Sequence, residues 1–379
     1  MIEDGARHFH DFDGTTYLNC ANHGALPRVT ADAVREAIAL KTHPNRVPDH
    51  IYFTLTGRAR KAIAPLIGAA PESITLGTGA SHGAGVAALG FPWNPGDEVV
   101  IARSDFPANV YIWCNAARRA GATARVVKPA RRAATTEEIL AAIGPNTRVV
   151  AVSLVDFGTG EVIDVERVAE VCRPRGIFLA VDATQAAGIV PLDMKSLGAS
   201  MLTVAAYKWM LAPYGSGYAA FAPEWAERID PTYVTWTAAR GAEKFNTLPR
   251  EDWEWHETNR RFDAPEVASF LNVTGLARSA EFIAEIGLEA MHEHVTGLLG
   301  HLERNLPRPF RRRATPSRIQ GPILSIEADD AERVHRAYER ITEAEIVVSL
   351  REDGIRVSPH IYNTAGDIDR LLRLLGDAA

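Results

Sequence analysis

From about residue 70 to 225 the chain keeps one rhythm: a short β-branched apolar run, a turn of small or polar residues, then a helical stretch. The runs are SITL (73–76), EVVIA (98–102), ATARVVK (122–128), TRVVAVSL (147–154), GIFLAVD (176–182), MLTVA (201–205) and GYAAF (217–221). Helix-like segments such as HGAGVAALG, ANVYIWCNAARRAG, TTEEILAAIG and DVERVAEVCRPRG lie between them. Apolar strands recurring every roughly 20–30 residues, with helices between, are the pattern of βαβ units in a mostly parallel sheet. A run such as TRVVAVSL is apolar almost throughout, as a strand covered on both faces must be. The expected fold class is α/β.

The two ends read differently. Residues 29–69 hold helix-like patterns, VTADAVREAIALK and then an amphipathic stretch to AIAPLIGAA. After about residue 265 comes one long helical pattern with a break expected at Gly287. GPILSIEA, a helix near AERVHRAYERI, the strand pair EIVVSLR and GIRVSP, and a closing helix in DIDRLLRLLGDA follow. This block lacks the parallel rhythm and suits a smaller α+β lobe. The expected division is an N-terminal arm (1–28) contributing to the small lobe, a large α/β domain (29–264) and a small C-terminal domain (265–379). The arginine cluster PRPFRRRA (307–314) is expected to be a solvated loop.

Several classes of function are disfavoured at once. A net charge of −6 with pI ≈ 6.1 offers no basic field for nucleic acid or an anionic membrane surface. The apolar runs fall far short of the ~20 residues that span a bilayer. The opening MIEDGARHFHDFDG is acidic and polar, the opposite of a secretory leader. Three widely spaced cysteines, Cys20, Cys114 and Cys172, form neither a disulfide framework nor a CxxC metal motif. No His, Cys or carboxylate pair has metal-ligand spacing, and no GxSxG nucleophile elbow occurs. A soluble cytoplasmic enzyme is expected.

The chain has six lysines, and five sit among polar or turn residues. Lys208 instead lies in LTVAAYKWMLAPYGSGY, directly after an expected buried strand. Burying an ammonium is costly unless the group is paired, neutralised or used covalently, and a desolvated lysine is the usual Schiff-base nucleophile. Asp182 ends GIFLAVD, 26 residues earlier and one βαβ unit away. Ligands bind at the C-terminal edge of a parallel sheet, so both residues are expected in one crevice. An acid for a pyridinium nitrogen and an amine for an imine are the protein parts of a pyridoxal phosphate site. The first βα turn, SITLGTGASHGAG, exposes backbone N–H groups at a helix start and adds the Ser81 hydroxyl, which suits a phosphate. The same turn scans as a loose dinucleotide fingerprint through Gly77, Gly79 and Gly83, so a nicotinamide-dependent dehydrogenase is the rival reading. That rival leaves Lys208 unexplained.

From YLNCANHG (17–24) to SPHIYNTAGDIDRLL (358–372) the chain resembles the class V aminotransferases of the fold-type I pyridoxal phosphate enzymes. That group includes cysteine desulfurases, kynureninases and isopenicillin N epimerase-like proteins. The most specific segments are AVDATQAAG and AAYKWMLAPYGSG. The resemblance implies Lys208 as the Schiff-base lysine and proton shuttle, and Asp182 as the partner of the pyridine nitrogen. It places Gln185 near the ring's 3′ oxygen and gives the phosphate to Gly79, Ala80 and Ser81, with Tyr207 as a further donor. Phe106, in SDFPANVYIW, takes the place of a ring-stacking histidine. Arg356, in GIRVSPHIYNT, matches the arginine that clamps the substrate carboxylate. His23, His82 and His360 are further candidates for the pocket, His23 on the substrate side. A homodimer acting on an α-amino acid is implied.

Departures from the family pattern narrow the reading. TEAEIVVSLREDGIR carries no cysteine before Arg356, which disfavours a persulfide-forming desulfurase. Ala205 stands where a phosphate-binding serine is common, and Phe157 where an asparagine is common. RFDAPEVAS (261–269) lacks the Gly-Thr-Pro by which a neighbouring subunit often reaches the phosphate. Transamination, β-elimination, kynureninase-like cleavage and epimerisation all use the remaining parts. A catalytically inactive relative serving as a binding protein is the other alternative, against which Lys208, Asp182 and Arg356 together argue.

Overall fold

The computed structural model describes residues 2, 4–244, 246, 251–267, 269–313 and 321–378. Seven strands form the central sheet: β1 (Ile74–Gly77), β2 (Glu98–Ala102), β3 (Thr123–Val127), β4 (Thr147–Ser153), β5 (Phe178–Asp182), β6 (Met201–Ala205) and β7 (Gly217–Phe221). Their spatial order is β1-β7-β6-β5-β4-β2-β3. Every pairing from β3 to β6 is parallel, and β7 runs antiparallel to both neighbours. The interior strands β2, β4, β5 and β6 are almost wholly buried, and the edge strand β3 is half exposed. Charge guards that edge, where Arg125 Nε donates to Glu98 Oε2 at 2.8 Å.

Strand alternation divides the core into two faces. Helices α1 (Arg28–Lys41) and α2 (Ile51–Ile63) precede the sheet in the chain. Val99, Ile101, Val149, Ala151, Phe178 and Ala180 pack under α3 (Ala80–Gly90) and α4 (Pro107–Ala120), whose Val86, Trp113 and Ala117 fill the layer. Val100, Val150, Val152, Leu179, Val181 and Leu202 face the other way. They meet α5 (Thr136–Ala142) and α6 (Val165–Cys172) through Ile139, Val168 and Ala169. Each start is set locally: Thr135 and Glu138 close a capping box on α5, and Asp164 caps α6.

The small lobe is a four-stranded antiparallel sheet. Its strands are β8 (Arg311–Arg312), β9 (Leu324–Glu327), β10 (Ser349–Arg351) and β11 (Gly354–Val357), in the order β10-β11-β9-β8. Residues Thr16–Tyr17 of the N-terminal arm pair in parallel with Ile346–Val347. EIVVSLR therefore divides at Val348 between the arm and the hairpin, where one strand was expected. The long helical pattern breaks at Gly287 (φ 92°) into Phe270–Ile286 and Leu288–Arg304. The arginine cluster is a correction to the sequence reading. Arg311–Arg312 form an edge strand on β9, and the Arg313 side chain is nearly buried, paired with Glu352 at 3.2 Å. Pairing and carboxylate partners supply what the polar sequence did not announce. Ala268 of RFDAPEVAS and Ala314 of the cluster lie outside the described residues.

Candidate active site

Register brings the strand ends to one edge. Ser153 of β4 pairs with Asp182 of β5, Asp182 with Thr203 of β6, Ala205 with Gly217 of β7, and Gly217 with Gly77 of β1. A cavity of about 440 Å³ opens there. Its walls include Thr78, Gly79, Ala80, Ser81, Phe106, Phe157, Asp182, Gln185, Tyr207 and Lys208. Eight residues expected from the sequence thus share one hollow. A larger hollow of about 840 Å³ lies at the opposite edge, beside Cys172, Ser200 and Phe221. It holds no acid facing a desolvated amine, so chemistry rather than size selects the first.

Lys208 is 7% exposed and follows β6 directly. Burial pushes its ammonium down to about 8, Asp182 opposes that shift, and Arg356 and Arg351 add to it. Its Nζ lies 5.4 Å from the centre of the Phe106 ring and 5.7 Å from that of Tyr207. Burial likewise pushes the Asp182 carboxyl up, against hydrogen bonds from Thr184 and the charge of Lys208. The Thr184 N–H donates to Asp182 Oδ1 at 2.9 Å and fixes the carboxylate's orientation. A desolvated acid and a buried amine with no ion pair between them are what a site for a dipolar ligand requires.

The phosphate-side turn is built from small residues. Gly79 precedes α3, and a Cβ placed on it would meet nothing within 4 Å, so its surface is open. Gly217 has no such freedom: a Cβ there would stand 2.4 Å from Gly79 Cα. Thr203 Oγ1 donates to the Ala80 carbonyl at 2.9 Å and ties the turn to β6. The Ser81 side chain and its unforeseen neighbour Thr78 are exposed at the cavity wall. Thr78 was legible in GTGAS as a second hydroxyl beside the glycines.

Gln185 is committed on both sides, accepting from Trp209 Nε1 at 2.7 Å and donating to the Ala21 carbonyl at 3.2 Å. Phe106 is 42% exposed and meets Phe157 edge to face at 5.3 Å, so the two departures from the family pattern form one wall. His23 packs on Tyr207 and Tyr214, with centroids 5.1 and 5.6 Å away, and adjoins the cavity through them. His82 turns to the Phe262 carbonyl, and His360 is buried against Trp209 and Tyr362. Neither reaches the cavity wall.

Arg356 is 1% exposed and abuts the cavity through Phe157, whose carbonyl accepts from Nη1 at 2.7 Å. Nη2 reaches Asn19 Oδ1 and Ser349 Oγ, each at 3.4 Å, and Nε is buried without a hydrogen bond. Among the described residues it has no ion pair within 4.0 Å. Burial lowers its pKa to about 10, and Arg351 adds to the shift. A buried guanidinium lacking an acid fits an incoming carboxylate.

The class V aminotransferase model, described as Aminotransferase class-V, matches residues 49–371. The chain belongs to the class V aminotransferase family. Isopenicillin N epimerase of Streptomyces clavuligerus is 26% identical over 370 residues, covering 93% of this chain and 92% of that protein. A probable cysteine desulfurase of Aeropyrum pernix is 27% identical over 300 residues, covering 76% and 71%. A solved complex between the cystine C–S lyase C-DES and its reaction product cysteine persulfide has a TM-score of 0.85 and 25% identity, over 96% of this chain and 98% of that one. The fold is fold-type I, and pyridoxal 5′-phosphate is the cofactor of the class V family. The donor set fits that group: a buried amine and a desolvated acid with no ion pair among the described residues, and an open glycine surface at a helix start.

Proposed function

We propose that the protein is a pyridoxal phosphate-dependent enzyme acting on an α-amino acid, of the aminotransferase or C–S/C–C lyase type. The observation that carries this reading is the desolvated Lys208 facing Asp182 across one cavity without an ion pair. When bound, the cofactor supplies an electron sink that lets a bond at the substrate Cα break heterolytically.

Lys208 supplies the amine for covalent attachment, and its depressed pKa makes the neutral form available near neutral pH. The same Nζ carries a proton to or from the substrate Cα. Asp182 would keep a proton on the ring nitrogen through its charge at the cavity wall. Ser81, Thr78 and the N–H groups at the start of α3 would hold the phosphate. Phe106 would help exclude water from the bound cofactor, and Arg356 would take the α-carboxylate and so fix which Cα bond stands ready to break.

A desulfurase that carries sulfur on its own cysteine is not favoured. Among the described residues no cysteine lines the cavity, and burial pushes the Cys20 thiol far up. A homodimer is part of the same proposal, supported by membership of the class V family. So is a cytoplasmic location, supported by three free cysteines.

Adding pyridoxal phosphate to purified protein tests the reading. A visible absorption band should form in the wild type and not in Lys208→Ala, and a colourless wild type contradicts it. Screening amino acids for release of keto acid, sulfide or alanine then separates the reactions.

A further inference from the structure

Arg351 was not singled out in the sequence, yet the hairpin register puts it beside the site. Ser349 of β10 pairs with Arg356 of β11, and Arg351 pairs with Gly354. Directly opposed residues share a face, and so do residues two apart on one strand. Ser349, Arg351, Gly354 and Arg356 therefore occupy one face of the small sheet. That face turns toward the large-domain cavity, because Arg356 reaches the Phe157 carbonyl in its wall. Opposite Arg351 stands Gly354, whose open face is covered by the Arg313 side chain, a cation that donates to the Arg351 carbonyl at 2.8 Å and cannot neutralise the guanidinium.

Among the described residues no carboxylate pairs with it. The adjoining carboxylates are taken: Glu352 pairs with Arg132 and Arg313, and Asp353 with Arg132 and His335. Among the described residues Arg351 has no ion pair within 4.0 Å, and its Nε is shielded from solvent without a hydrogen bond. Its charge is felt at Lys208 and at Arg356, after burial in each case. Two permanent cations on one face beside the cavity, neither in an ion pair among the described residues, exceed what a single α-carboxylate balances.

We propose that Arg351 binds a second anionic group of the substrate, so that the amino acid taken carries a carboxylate at the far end of its side chain as well as at Cα. This inference rests on the amino-acid reading above. It names a substrate class, acidic amino acids with two carboxylates, and makes Arg351 the residue that selects it.

Calorimetric titration of the cofactor-loaded enzyme with unreactive acids tests the assignment. Glutarate, with two carboxylates, is compared with valerate, of the same length with one. In the wild type glutarate should bind roughly tenfold tighter or more, the order expected of one charge-assisted contact. In Arg351→Gln the ratio should fall to about one, and Arg351→Lys should restore part of it. Equal affinities in the wild type, or a preference surviving in Arg351→Gln, overturn the assignment. If amino acids still perturb the cofactor band, only the role of Arg351 is lost. If they perturb nothing and neither acid binds, the amino-acid reading falls with it.

Discussion

Lys208 and Asp182 stand at the ends of neighbouring parallel strands, and each is the chief opposing charge felt by the other, yet no ion pair within 4.0 Å joins them. The gap leaves both groups desolvated and unspent. Such separation is costly in a finished core and is expected where a ligand completes the electrostatics.

The first prediction follows from the amine. In cofactor-free protein, acylation of Lys208 should rise with a midpoint near pH 8, below the ordinary lysine value of 10.5. The folded pKa lies below the unfolded one, so the unfolded chain binds more protons between these values. Stability of the cofactor-free protein should therefore increase as pH rises from about 8 to 10.5, and Lys208→Met should abolish that increase. Denaturant titrations across the window check the sign.

Asp182→Asn preserves shape and removes charge. The cofactor should still bind, because Ser81 and the α3 start are untouched. Turnover should drop by roughly 10²–10³-fold, as when a preorganised electrostatic group is lost. Loss of the cofactor without loss of turnover per bound cofactor would place Asp182 elsewhere in the mechanism.

Gly217→Ala tests the close approach of β7 to the phosphate turn. The added Cβ would collide with backbone at Gly79, which no rotamer change relieves. Overpacking of this kind costs about 1–3 kcal/mol, and the displaced turn should also weaken cofactor binding. Thermal unfolding and a cofactor titration report the two effects separately.

Asp263 anchors the strand that leads into that turn. It pairs with Arg60 and accepts from the Leu76 N–H at 2.8 Å and Thr75 Oγ1 at 3.2 Å, while Arg60 Nε donates to the Ile74 carbonyl at 3.0 Å. Both side chains are nearly buried. Asp263→Ala strands the guanidinium and should destabilise the protein by about 3–5 kcal/mol, measured by denaturant unfolding.

EVVIA, MLTVA and GYAAF occupy the limits read from the sequence, because burial on both faces leaves a continuous apolar run that turn residues interrupt. The break at Gly287 was legible for a related reason, a glycine whose positive φ ends one helix and begins the next. The crevice was legible because βα topology sends every parallel strand end to one edge, so Asp182 and Lys208 had to meet there. What escaped depends on partners remote in sequence. The acceptors of Arg356 come from residues 19, 157 and 349. The place of Arg351 follows only from hairpin register, and the strand at Arg311–Arg312 exists because β9 offers it an edge. No local pattern encodes such pairings.

Borohydride reduction of the cofactor-loaded protein, followed by peptide mass mapping, tests the central assignment most directly. A reduced pyridoxyl group should be found on the peptide containing Tyr207, Lys208 and Trp209, attached at Lys208. Attachment at another lysine, or no covalent adduct from protein that carries the cofactor, would contradict it.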